Sequence, residues 1–339
     1  MPKKILFGIF AILLSFILFH YELINYGLKQ LTGQISIVTS TVPTSVLLED
    51  PTFPDSLRQK IVLVNKVRKF AVEELGLRKT ENYTTFYDQE GEVSLWNLSA
   101  SEPFELKPYL WSFPVLGSFP YKGFFDLEQA RHEEEQLKAE GFDTRIRAVG
   151  GWSTLGWTKD PILSNMLSRT DGALAELIIH ELTHTTLFVE DDIAFNENLA
   201  TFIGEKGAVI FLDTEFPGGE EKDIYLKAER DSRTFRQHML RSATFLDSIY
   251  SHFNEKMSLE KKIQNKRDAI AQVTSTLDTL SFYNDRYYRL FEKTSPNNAF
   301  FMSYVRYYSK KDSLEDLFNL QYEGNLRLFV EGMKDEHGK

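Results

Sequence analysis

His180-Glu181-Leu182-Thr183-His184, and then Asn196-Glu197-Asn198-Leu199-Ala200, is the stretch on which the whole chain turns. On a helix, residues four apart share a face one turn above each other. His180 and His184 can therefore offer two imidazoles to one metal ion, with Glu181 beside them to take a proton from an activated water. Ala173 to Ile179 leads into the pair without Gly or Pro, which predicts helix, and Asp171 is the expected cap. The pentapeptide alone arises by chance often enough that it does not decide the matter. A third ligand does. A catalytic zinc takes three protein ligands and keeps one position open. Glu197 follows at the start of a second apolar helical run, Ala194 to Ile210, after a turn at Val189-Glu190-Asp191-Asp192. Folded back on the first helix, that run brings Glu197 to the metal, and Ala200 is small enough to permit close packing.

These residues resemble the gluzincin class of zincin metallopeptidases. More closely they resemble a family of predicted bacterial aminopeptidases, whose core reads roughly F/I-H-E-L-A-H-Q and then D-T-x-F-N-E-x-x-A. Further landmarks are Trp96-Asn97, Trp111 to Val115, Tyr121 to Asp126, Ser153 to Trp157, Asp160-Pro161 and Asn297-Asn298-Ala299. The resemblance runs from about Tyr26 to about Val330. Thr183 and Thr185 depart from its Ala and Gln, and Gly151-Trp152 from its Ala-Tyr. It implies one zinc ion on His180, His184 and Glu197, with Glu181 as general base. It also implies a zincin-like α+β fold and a peptide or protein substrate. Tyr307 lies nearest a tyrosine of the family pattern and is the expected oxyanion donor. Tyr121, Tyr304 and Tyr308 are the other candidates, among 15 tyrosines that mostly serve packing. By analogy with gluzincins, the stretch Gly151-Trp152-Ser153-Thr154 is the expected substrate-binding edge; a tight turn with packed tryptophans is equally compatible.

Composition bounds the alternatives. The 339 residues are 42% hydrophobic and 14% aromatic, enough for a sizeable core. A net charge of −10 argues against a nucleic-acid partner. With no cysteine there is no disulfide, thiolate ligand or thiol nucleophile. Lys3-Lys4 precede an apolar run from Ile5 to Phe19 that ends without an A-x-A site. This favours an uncleaved membrane helix over a signal peptide, with the catalytic domain outside the cytoplasmic membrane.

The chain then divides into 1–22 (anchor or signal), 23–150 (α+β with a small sheet), 151–220 (metal core) and 221–334 (helical). Expected helices are Tyr21–Leu31 closed by Gly33, Ser56–Leu75 stopped at Gly76, and Asp126–Glu140 stopped at Gly141. Two long helices, Glu221–Asn254 and Ser258–Phe291, form an α-hairpin; Asn298–Tyr308 and Ser313–Met333 follow. Expected strands are Thr84–Tyr87, Val93–Leu98 (with Gly91 in the turn between), Trp111–Leu116 and Thr144–Val149. His238 and His252 on the hairpin, His132 in a charged helix, and His20 and His337 near the ends do not compete with the motif. Asp192 and Asn196 either orient a ligand or cap the second helix. The sequence leaves open endopeptidase against aminopeptidase action, and a tethered scaffold that keeps the metal for structure.

Overall fold

The computed structural model describes residue 7 and residues 21–113, 117–149, 159–190, 192–308 and 311–337. The proposed substrate edge Gly151-Trp152-Ser153-Thr154 lies outside these residues, as does the apolar N-terminal run apart from Phe7. Among the described residues no helix is long and apolar enough to cross a membrane.

The first described helix, α1, spans Tyr21–Thr39. It does not stop at Gly33, as the sequence suggested. Gly33 is where α1 meets Phe125: a β-carbon there would sit 2.3 Å from the ring. Glycine is a poor helix residue, but here it permits a close approach that outweighs propensity. The short strand β1 (Val42–Pro43) and helix α2 (Thr44–Glu49) lead to α3 (Asp55–Glu73), which ends at Gly76 in the left-handed region, φ +72.

Strands β2 (Thr85–Tyr87) and β3 (Trp96–Ser101) follow. Gly91 does turn the chain between them, at φ +82, but the two strands enter different sheets. β2 lies between β1 and β8 (Ile162–Leu163), whereas β3 is the centre of an antiparallel sheet, flanked by β6 (Lys122–Phe124) and β7 (Asp143–Ala148). β4 (Trp111–Phe113) and β5 (Gly117–Phe119) form a separate hairpin; β6 (Lys122–Phe124) returns to β3. Helix α4 (Leu127–Ala139) is capped by Asp126, whose carboxylate accepts from the Glu128 amide. It ends at Gly141, φ +96, and leads into β7 (Asp143–Ala148), at the edge of the sheet.

After β8 (Ile162–Leu163) and a 3₁₀ turn come the two helices that organise the core, α5 (Asp171–Thr186) and α6 (Ile193–Glu215). Thr170 rather than Asp171 precedes α5; Asp171 starts it and is tied to α3 by Lys60 at 2.6 Å. The largest apolar cluster joins Ile61, Val64 and Val67 of α3, Leu174, Ile178 and Leu182 of α5, and Leu199, Phe202 and Phe211 of α6. It also takes in Phe329 and Val330 of the last helix. Burying side chains of this size contributes about 1.5–3 kcal/mol each.

Helix α7 (Glu220–Tyr250) and α8 (Leu259–Ser275) make the expected α-hairpin, but α8 is shorter than its periodicity suggested. Beyond Thr276 the chain breaks into two 3₁₀ turns. The buried carboxylate of Asp231 accepts the backbone N–H groups of Tyr283 and Asn284 at 2.8 Å each, which holds that segment out of helix. Helix α9 (Asn298–Tyr308) is followed by α10 (Lys311–Gln321) and α11 (Leu326–His337). The last two were expected as one helix. Glu323 and Gly324, at φ +52 and +71, divide them.

Candidate metal centre

α5 carries His180, Glu181 and His184; α6 carries Glu197. Packing dictates how closely they meet. A column of small residues on α6, Ala200, Gly204, Gly207 and Ala208, faces α5. A β-carbon on Gly204 would lie 3.0 Å from the backbone oxygen of Glu176 and 3.3 Å from Cβ of His180. One on Gly207 would lie 3.0 Å from Ile179 and from Leu75. The helices therefore approach as near as their backbones allow, and Glu197 reaches the face of α5 that holds the histidines. Gly204→Ala has to part them. The expected result is a loss of about 1–3 kcal/mol in urea unfolding, with divalent-metal affinity weakened about tenfold or more in a competition titration.

The loop between the helices is closed by Asn196. Its amide oxygen accepts from the Val189 N–H and its amide nitrogen donates to the Val189 carbonyl, both at 2.7 Å. Asp192 is the N-cap of α6, accepting from the Phe195 amide at 2.9 Å. Of the two roles open for this pair, capping and loop closure are the ones the structure displays. Thr183 and Thr185, which depart from the family pattern, are buried and donate to the Ile179 and Leu182 carbonyls at 2.8 Å each. Neither hydroxyl is left unsatisfied in the helix interior.

His180 Nε2 and His184 Nε2 are 3.1 Å apart, and Glu197 Oε2 lies 3.5 Å and 3.7 Å from them. The three offer donor atoms all within 4.8 Å of one another, as a metal site requires. Among the described residues no fourth Cys, His, Asp or Glu joins the group. Burial pushes the Glu197 carboxyl up, but the two imidazoles outweigh it and hold the group well below the usual carboxylate range.

Of the tyrosines the sequence offered, Tyr307 and Tyr121 stand on the Glu197 side. Both phenols are raised by burial and then by the Glu197 charge. Tyr307 Oη accepts from Arg147 Nη2 at 3.1 Å. Tyr304 packs among Phe235 and Phe300, and Tyr308 lies under the Arg236 guanidinium, so neither belongs to this face.

Three residues near the centre were not singled out in the sequence. Tyr83 is fully buried with φ +60, and its phenol is raised by burial, then by the charges of Glu181 and Asp160. Its phenol lies within the field of Glu181, the expected general base. Its backbone N–H donates to the Asp160 carbonyl, and Asn82 donates to the Asp160 carboxylate at 2.9 Å. The Asp160-Pro161 landmark thus locks Tyr83 in place. Arg147 and Arg306 are the other two. The available signals were an Arg-x-Arg alternation on the strand that precedes the stretch expected to bind substrate, and an Arg beside Tyr307.

Asn297 and Asn298 show how α9 is held here. Asn297 donates to the Thr144 carbonyl of β7 at 2.8 Å. Buried Asn298 donates to the Glu102 carbonyl and accepts from Tyr250 Oη. At the other end of α9, Asn198, next to Glu197, donates to the Arg306 carbonyl at 2.6 Å.

A family model described as "Putative aminopeptidase" matches residues 25–337, nearly the whole chain. The chain belongs to that family. By its description the family consists of peptidase hydrolases, and both metal helices and the residues around them fall inside the match. No curated protein and no solved structure matches the chain.

Proposed function

We propose that this protein is a zinc metallopeptidase, with His180, His184 and Glu197 as the metal ligands, acting as an aminopeptidase. The observation that carries the reading is the spacing of the three donor atoms. Atoms about 2.0–2.2 Å from a tetrahedral zinc stand about 3.3–3.6 Å from one another. The observed separations, 3.1, 3.5 and 3.7 Å, sit around that range. Two imidazoles and one carboxylate are also the ligand chemistry of a hydrolytic zinc centre, and three donors leave the position that a structural site would fill.

When bound, the ion supplies Lewis acidity, polarising the scissile carbonyl and making a water nucleophilic at neutral pH. The chain's own groups do the rest. Glu181 takes the proton from the attacking water and delivers it to the departing amine, so acid and base are one residue used twice. Tyr307, whose phenol keeps its proton at neutral pH, is the donor for oxygen charge developing on the carbonyl. The small-residue face of α6 fixes the ligands before substrate arrives.

The test is a zinc-loaded protein starting near Asn25, given a mixed peptide set in free and N-acetylated forms, with Glu181→Gln as the blank. Stepwise loss of residues from free peptides alone is the expected result. Internal cuts in both forms would make the enzyme an endopeptidase. No cleavage above the blank would overturn the peptidase reading. The N-terminal run Ile5 to Phe19 is proposed to hold the domain on the outer face of the cytoplasmic membrane, which protease access to the domain in spheroplasts checks.

A further inference from the structure

Among the described residues, two guanidiniums, those of Arg147 and Arg306, are gathered at the Glu197 face. Arg147, near the end of edge strand β7, is exposed and donates to Tyr307 Oη at 3.1 Å, with its guanidinium 5.6 Å from that ring. Arg306 is buried, donates to the Pro120 carbonyl at 3.1 Å and lies over the Tyr121 ring at 5.4 Å. Its own carbonyl is the acceptor for Asn198, the residue beside the proposed metal ligand, which ties this end of α9, with Tyr307 next in sequence, to α6. Among the described residues, the polar partners of the two guanidiniums are thus a phenol and a backbone carbonyl. The carboxylate whose field reaches both is Glu197.

We propose that Arg147 is a specificity-determining residue that binds a substrate carboxylate, so that the preferred substrates are short peptides with a carboxylate close to the scissile bond. This rests on the peptidase reading above and names its substrate class. With Glu197 committed to a divalent ion, the two guanidiniums leave the face with positive formal charge. Such a face is balanced by an anion. Tyr307 orients the Arg147 fork, and an exposed planar guanidinium suits bidentate pairing with a carboxylate. Arg306, buried behind, adds charge without contact. The carboxylate has two possible sources, the C-terminus of a short peptide or an Asp or Glu side chain.

Binding without turnover separates this from the hydrolytic reading. Zinc-loaded Glu181→Gln protein is titrated calorimetrically with an alanine tripeptide as free acid and as C-terminal amide. It is then titrated with amidated tripeptides that differ only as Glu or Gln at the last residue. One acidic member is expected to bind about ten- to a hundredfold tighter than its neutral twin; which pair shows it identifies the source. In the double variant carrying Arg147→Gln that ratio falls to near one. With Arg147→Lys part of it survives, because the charge stays and the fork is lost; this also guards against a misfolded Gln variant. Equal binding of both members in protein retaining Arg147, or a preference that outlives Arg147→Gln, overturns the proposal. A preference for the acid without turnover by the Glu181 enzyme supports the carboxylate site and removes the peptidase reading alone.

Discussion

On the proposed mechanism, Glu181→Gln is expected to lower peptide turnover by about 10²–10⁴-fold while leaving the bound metal in place. The substitution keeps the side chain's shape and removes its charge. Glutamine has the volume and helix propensity of glutamate, and Glu181 lies one position past His180 on α5, so the helix and both imidazoles are undisturbed. Glu197 and the small-residue contact with α6 do not involve it. What is removed is a group able to accept a proton from water and return it to the leaving amine. The loss should fall on kcat, with KM little changed, because the group acts on the transition state rather than on ground-state binding. Two measurements on one preparation decide it: zinc per chain by elemental analysis, and kcat on a peptide the wild type cleaves. Full zinc with activity within a few-fold of wild type would rule out Glu181 as the base. Lost zinc would mean the substitution reached the ligands and must be judged by Glu181→Asp instead.

Much of this centre was legible in the sequence, and the reason is periodicity. A helical spacing of four puts two histidines on one face whatever surrounds them. A second helix that begins after a short turn can only return alongside the first. Ala200 signalled close packing, although Gly204 and Gly207 provide the nearest approach. What could not be read is long-range. Nothing local to Tyr83 announces that it is buried within the field of Glu181; it gets there because Asn82 and Asp160, 78 residues apart, bond to each other. Arg147 and Tyr307 meet across 160 residues for the same kind of reason. Misread elements share a cause too. Gly33 is a contact rather than a stop, and β2 and β3 pair elsewhere because their partners come later in the chain. Local propensity proposes an end or a hairpin, and tertiary packing overrules it.

The second large effect concerns stability and comes from behind the metal helices. Glu176 lies on α5 one turn before His180 and accepts from Tyr225 Oη at 3.0 Å. Glu205 of α6 and Glu229 of α7 share the single guanidinium of Arg236, at 3.2 Å and 2.5 Å. Three carboxylates thus lie around the Arg236 guanidinium in a poorly solvated space, with Arg233 also 3.8 Å from Glu229. Burial, then the charges of Glu205 and Glu229, push the Glu176 carboxyl up from 4.5 to about 7; the Tyr225 hydrogen bond and Arg236 only partly offset them. The sign follows from which state holds the proton. Between about pH 4.5 and 7 the folded chain keeps a proton on Glu176 that the unfolded chain has lost, so unfolding free energy falls as pH rises through that window. The contribution is complete below pH 4.5 and gone above about 7. Its size is about 3 kcal/mol over the interval. Glutamine at this position is neutral throughout and can still accept from Tyr225. In Glu176→Gln the decline should therefore flatten, leaving the variant more stable than the native protein by up to about 3 kcal/mol at pH 8. Urea unfolding of the metal-free proteins at pH 5, 6, 7 and 8, followed by circular dichroism, measures this. Every other ionisable group is common to both proteins, so its contribution cancels in the difference. Parallel curves would show that Glu176 ionises normally and that the excess charge of the cluster is dispersed elsewhere.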